Sequence, residues 1–168
     1  MKREITLILF INILFINSLF AYNNENKCED YLSKNKPAEA IISAKSLTSK
    51  YDSNFCAAKA KYYQNDYEGA IESFEKSTEH AELQADQMYS ILYKGIAQRD
   101  NSEIKASTIT FKHGLETAKL GNSKYMQMEQ KFLYQIGLSL TEMKDYFNAT
   151  DYLAKSLMIA ANDDERAE

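Results

Sequence analysis

Asp66-Tyr67-Glu68-Gly69-Ala70-Ile71-Glu72-Ser73-Phe74-Glu75-Lys76 returns later in the chain as Asp145-Tyr146-Phe147-Asn148-Ala149-Thr150-Asp151-Tyr152-Leu153-Ala154-Lys155. In both copies an Asp-Tyr pair is followed by a small residue, Ala70 or Ala149, and four positions later by a bulky one, Phe74 or Leu153. A step of four keeps the small and the large residue on one helix face. A single amphipathic helix pair cannot bury its apolar face alone, so a repeated turn-plus-helix unit must stack on copies of itself. The repeat predicts a helical solenoid whose surface binds rather than a pocket that carries out chemistry.

The rest of the chain agrees with that reading. One proline and five glycines in 168 residues leave little room for a turn-rich β fold. Apolar residues recur at steps of three and four, as in Ala70, Ile71, Phe74 and Ser77, or Leu133, Ile136, Gly137 and Leu140. The breaks carry helix-start chemistry. Pro37 suits a first turn. Asp52-Ser53-Asn54, Asn65-Asp66 and Asn101-Ser102 offer side-chain oxygens to unpaired N–H groups. Gly121 followed by Asn122-Ser123 reads as a C-cap and then a new N-cap. These signals predict eight helices over 25–34, 37–49, 53–63, 67–80, 85–99, 102–119, 123–142 and 146–161. Taken in order they make four hairpins in one all-α domain, 22–161, with 162–168 as a frayed acidic tail.

The first residues set the compartment. Met1-Lys2-Arg3-Glu4 precedes an apolar run from Ile5 to Phe20, closed by Ala21 and the polar Tyr22-Asn23-Asn24-Glu25-Asn26. A basic start, an apolar middle and a small residue before a polar segment describe a secretory signal peptide, here 1–21. The alternative is an inner-membrane anchor through 5–21. The run is short of the ~20 apolar residues a span needs, and Asn12 and Asn17 interrupt it. Cys28 lies too far past Ala21 to be a lipid-modified first residue. The expectation is an exported, periplasmic protein with no stable membrane insertion after cleavage.

The mature chain would carry 18 Lys+Arg against 23 Asp+Glu. An acidic balance argues against nucleic acid, which calls for a basic stripe, and against anionic lipid. Both cysteines, Cys28 and Cys56, lie in the mature part. An oxidising compartment favours a disulfide between them, and the alternative is two buried free thiols.

The hairpins resemble the tetratricopeptide repeat of exported bacterial proteins. That family's unit is a helix–turn–helix of about 34 residues with a large-to-small pattern in the first helix and A-x₃-F in the second. Leu133, Ile136, Gly137 and Leu140 match the first helix of the last unit, and Ala149 and Leu153 match its second. Asp66-Tyr67, Ala70 and Phe74 match in the second unit, with Ala57-Ala58 in its first helix. Gly95, Ser107, Phe111 and Gly114-Leu115 match in the third. Ala40 and Ala44 alone remain in the first. The small positions Ala40, Ala70, Ser107 and Ala149 lie 30, 37 and 42 residues apart, so the later hairpins need longer helices or turns than the family standard. The resemblance implies an α-solenoid of about four hairpins in a right-handed superhelix.

It also implies a partner surface. The family lines its concave face with residues from the first helix of each hairpin. Here those are Lys59, Tyr62, Tyr63, Tyr89, Tyr93, Lys131, Tyr134 and Gln135. Tyrosine offers large contact area with a polar tip at low entropic cost, which suits a protein or peptide partner. Aromatic residues at helical spacing also serve as core, and that reading stands beside the first. The family's carboxylate-gripping pattern is missing, since Phe55, Leu92 and Ile96 stand among its positions.

Catalysis has no candidate. His80 and His113 are single histidines without metal-ligand spacing. Glu72, Glu75 and Glu79 step along one helix as a solvated face. Gly114 and Gly121 belong to no phosphate-binding loop. The expectation is a non-enzymatic adaptor or scaffold without cofactor or metal. The alternative is a self-associating repeat protein, with a homodimer as its simplest form.

Overall fold

The computed structural model describes residues 27–167, which form helices joined by short turns. The expected leader at 1–21 lies outside the described residues. The helices are α1 (27–33), α2 (Pro37–Ala44), α3 (Lys50–Tyr63), α4 (Tyr67–His80), α5 (Gln84–Asp100), α6 (Ile104–Leu120), α7 (Met126–Glu142) and α8 (Tyr146–Ala167), with a 3-10 turn over Asn122–Tyr125. No strand occurs among the described residues. From α2 onward, each helix packs chiefly on the next in sequence, and α5 also reaches α7. The class is all-α.

Four turns share one geometry. Asn35, Asn65, Ser102 and Lys144 all take a left-handed backbone, with φ of 55°, 61°, 66° and 62°. In each turn that residue's N–H bonds the carbonyl three positions back. The following N–H bonds the carbonyl five back, as Asp66 to Lys61 at 3.0 Å and Asp145 to Leu140 at 2.9 Å. This pair of bonds satisfies carbonyls the helix end would otherwise leave open. Five residues after each left-handed residue comes Ala40, Ala70, Ser107 or Ala149, whose N–H bonds back to the carbonyl of Lys36, Asp66, Glu103 or Asp145. The turn and the small position therefore move together, 30, 37 and 42 residues apart. The irregular spacing comes from helix length and from the links between hairpins, which run over 45–49, 81–83 and 121–125. Helices α3 and α4 have 14 residues, whereas α5, α6 and α7 have 17.

Small residues on one helix receive large ones from the next. A Cβ on Gly95 of α5 would stand 2.4 Å from the ring of Phe111 on α6. A Cβ on Gly137 of α7 would stand 2.6 Å from Leu153 on α8. Only glycine admits approaches this close. Ala58 and Phe74 repeat the same 16-residue offset between α3 and α4, and both are buried. At the helix crossings the hydroxyls of Ser77 and Ser90 pair at 2.8 Å, and those of Ser107 and Ser139 lie 3.4 Å apart.

The core grows along the chain. Its largest cluster joins α5 to α8 and holds Phe111, Phe132, Ile136 and Met88 at 0% exposure. A smaller one joins α3, α4 and α5 around Phe74. The first hairpin contributes Ala40, Ala44, Leu32 and Cys28, packed on Cys56 and Ala60 of α3. Cys28 and Cys56 are joined in a disulfide, with Cα atoms 6.2 Å apart, tying α1 to α3.

Five boundaries of α2 to α8 differ from the sequence expectation by two residues or more. Helix α2 ends at Ala44 rather than 49. Ser46 turns its hydroxyl back onto the Ser43 carbonyl at 2.7 Å, a local bond that competes with helix continuation. Ser49 then caps α3 by accepting from the Asp52 N–H at 3.2 Å, so Asp52-Ser53-Asn54 lie inside the helix. Ser102 supplies the left-handed turn and Glu103 precedes α6 without a side-chain cap bond. Gly121 follows α6 with an ordinary φ of −87°, and a 3-10 turn takes up the expected cap residues Asn122 and Ser123. The backbone of α8 stays helical to Ala167, past the expected end at 161. Asp66 caps α4 as expected, accepting from the Gly69 N–H at 3.0 Å.

Candidate partner-binding face

The first helices of successive hairpins meet through side chains. Lys59 of α3 places its ammonium 2.6 Å from Glu29 of α1 and 6.0 Å from the ring of Tyr93 on α5. Tyr62 of α3 donates its phenolic O–H to Asp100 of α5. Arg99 of α5 donates to the Gln135 side-chain oxygen of α7 at 2.5 Å, and its Nε lies 3.6 Å from Glu142. Lys131 of α7 lies 5.3 Å above the ring of Tyr89 on α5. Together, α1, α3, α5 and α7 carry a chain of polar and cation–π links. Each such contact is worth about 0.5–1 kcal/mol where solvent reaches it. Their joint effect is to hold neighbouring first helices in register.

The eight expected residues divide by burial. Tyr63, Tyr89 and Tyr134 are 54%, 38% and 47% exposed, and Lys131 is exposed as well. Lys59, Tyr62, Tyr93 and Gln135 are half-buried. Tyr93 stacks on Phe74 at 5.8 Å and meets Phe55 edge-on at 5.6 Å, so much of its ring packs between hairpins. Tyr62 packs against Tyr63 and Tyr67, and its polar tip is already engaged by Asp100. Burial, with the bond to Asp100 next, pushes the Tyr62 phenol above its ordinary range. The aromatic positions are thus mixed: three present ring surface to solvent and two serve mainly as spacers.

Tyr89 and Lys131 share a pocket of about 430 Å³ with Ser123, Lys124, Tyr125 and Gln127. Lys124 lies 5.0 Å from the Tyr125 ring. Sequence reasoning missed Lys124 and Tyr125, because the 3-10 turn that carries them reads as an ordinary helix start. It also missed Arg99 and Asp100, which look like one more charged pair at a helix end. Phe55, Leu92 and Ile96 are packing residues. Phe55 meets Phe74 and Tyr93, Leu92 is buried, and Ile96 lies against the main core.

The remaining titratable groups read as surface. Glu72 accepts from Lys76 at 2.5 Å, and that bond holds its carboxyl below the ordinary range. A general acid needs the opposite shift. Glu75 pairs with Lys94 at 3.1 Å. His80 lines a groove of about 590 Å³ with Tyr51, Asp52 and Asp86, where burial and then Asp52 raise the Asp86 carboxyl. His113 lines another of about 480 Å³. Among the described residues, no three His, Cys, Asp or Glu side chains gather as a metal site would require. No helix among them is long and apolar enough to cross a membrane. No protein-family model matches the chain, and no curated protein or solved structure matches it either.

Proposed function

We propose that this protein is an exported, non-enzymatic adaptor: a tetratricopeptide-like α-solenoid that binds a protein or peptide segment along the face of its first helices. In a bacterial envelope it would act in the periplasm after loss of residues 1–21. One observation carries the reading. Helices α3, α5 and α7 are linked side by side through Tyr62–Asp100, Tyr89–Lys131 and Arg99–Gln135, while Tyr63, Tyr89 and Tyr134 keep exposed ring surface along them. A pre-organised row of aromatic rings loses little entropy on binding, which is how such surfaces gain affinity. The repeated turn geometry and the consecutive packing of the helices support a solenoid.

The test is capture from envelope extract by immobilised protein. Tyr89→Ala with Tyr134→Ala should reduce recovery of a saturable partner by about tenfold or more, the effect of losing an interface anchor. Far-ultraviolet circular dichroism should stay unchanged. Unaltered capture by the doubly substituted protein would refute the reading.

Self-association is a second reading with its own observation. Helix α8 exposes Phe147 at 88%, Leu157 at 72% and Met158 at 66%. The ion pair Asp151–Lys155, at 2.7 Å, lies beside them and offers both signs of charge to a second α8 packed antiparallel. Under that reading, sedimentation equilibrium gives a dimer that Phe147→Ser and Leu157→Ser convert to monomer.

A further inference from the structure

The pocket at the start of α7 differs in charge from the grooves lined by His80, by His113 and by Glu116. Among its lining residues are Lys124 and Lys131, Tyr89 and Tyr125, Ser123 and Gln127, and not one Asp or Glu. Each of the three other grooves described above or on the second-helix side holds at least two carboxylates: Asp52 and Asp86, Glu75 and Glu79, or Glu116 and Glu129. An acid-free pocket with two ammonium groups stands out in a chain of net charge −4.

Among the described residues, neither lysine is spent on an internal partner of opposite charge. Lys34, Lys59, Lys76, Lys94, Lys119 and Lys155 each pair with a carboxylate. Among the described residues Lys124 and Lys131 pair with none, and their charged contacts are the faces of Tyr125 and Tyr89. A ring face draws an ammonium without neutralising it. Two like charges beside one cavity repel, and an anion entering between them relieves both.

We propose that this pocket takes the acidic side chains of the partner segment: an Asp- or Glu-bearing peptide whose carboxylates sit between Lys124 and Lys131, with an apolar neighbour against Tyr89 and Tyr125. The inference rests on the first-helix face being the partner surface, because Tyr89 and Lys131 belong to both. The choice of carboxylate over phosphate follows from the donors. The pocket offers two lysines, which act as point charges, and none of the arginine forks that match phosphate oxygens in pairs.

The probe is a fluorescein-labelled peptide alternating Leu and Glu, read by anisotropy against the same peptide carrying Gln for Glu. The Glu peptide should bind at least about tenfold more tightly, the rough worth of one charge-assisted bond. That preference should fade with added salt as the charges are screened. Lys124→Ala with Lys131→Ala should abolish it, and Lys124→Glu with Lys131→Glu should reverse it toward a Leu-Lys peptide. Both lysines are exposed and each touches one ring, so the variants should stay folded with at most a small fall in melting temperature. Equal binding of the Glu and Gln peptides overturns the proposal. So does displacement of the peptide by inorganic phosphate at concentrations where acetate is inert, which would make the pocket a phosphate site. If the lysine variants leave peptide binding intact while Tyr134→Ala weakens it, the face stands and the acidic pocket falls. If Tyr134→Ala leaves envelope capture intact while the charge preference persists, the pocket stands without the wider face.

Discussion

Lys144 holds φ at 62°. A left-handed backbone costs a β-carbon-bearing residue about 1 kcal/mol relative to glycine, and asparagine less. The four equivalent turns use Asn, Asn, Ser and Lys, so the cost is unevenly spread. Lys144→Gly should raise stability by up to ~1 kcal/mol in urea denaturation, and Asn65→Gly should change it little. Equal effects at both sites would mean that the turn is not what limits stability there. Tyr62 offers a second measurement at this scale. Its phenol resists ionisation because the ring is partly buried and bonded to Asp100. A folded pKa above the unfolded value of about 10 means that the stabilisation is full below pH 10 and is lost as pH rises past it. Tyr62→Phe should therefore cost about 1 kcal/mol near neutrality. The gap between wild type and variant should close as pH climbs above ~10 in chemical denaturation. A gap that stays constant would place the stabilising effect in packing, not in the O–H.

Among the elements, the first hairpin is the weakest by composition. Its buried positions are Ala40, Ala44 and Leu32, beside Cys28 and Cys56. Alanines bury little area, and each fully buried large side chain elsewhere is worth roughly 1.5–3 kcal/mol. The disulfide compensates by closing a loop with a sequence separation of 28. The chain-entropy estimate for such a loop is about 3–4 kcal/mol. Reduction, or Cys28→Ser with Cys56→Ser, should release α1 and α2 while α5 to α8 stay folded. Limited proteolysis after reduction should cut first within 27–49. Cleavage spread evenly along the chain would contradict this. Helix lengths also act at this scale. Because the turns are alike, the three added residues in α5, α6 and α7 lengthen the later hairpins without altering how each is closed.

Across the whole molecule, burial is graded. The cluster from Met88 to Ala149 joins four helices, whereas the first hairpin holds its place through the disulfide, the Lys59–Glu29 ion pair and a cluster of mostly small buried side chains around Leu32. Sequentially packed helices can open from an end without disrupting the far side. Native-state hydrogen exchange should therefore show the strongest protection in α6 and α7 and the weakest in α2. Uniform protection would indicate a single cooperative unit.

The sequence by itself determined the class and nearly all the helices. Helical turns are set by residues three and four apart, so Asn65-Asp66 and Pro37 mark starts that hold in the structure. The small-to-large pattern was likewise legible at Gly95 and Phe111, because both sit at fixed offsets from a turn. Where several short polar residues compete for one cap, sequence alone could not choose. Ser49 displaced Asp52, and Ser102 became a turn residue, because the backbone conformation decides which oxygen faces an open N–H. Only the tertiary structure decided which tyrosines present a surface. Tyr93 and Tyr89 are one helical turn apart on α5, yet Tyr93 packs on Phe74 and Tyr89 meets Lys131 from another helix. The distinction depends on how far apart α3, α5 and α7 stand, a distance between elements that no local spacing encodes. The same holds for Lys124 and Lys131, which meet at one pocket because the 3-10 turn brings the chain back to the side of α5.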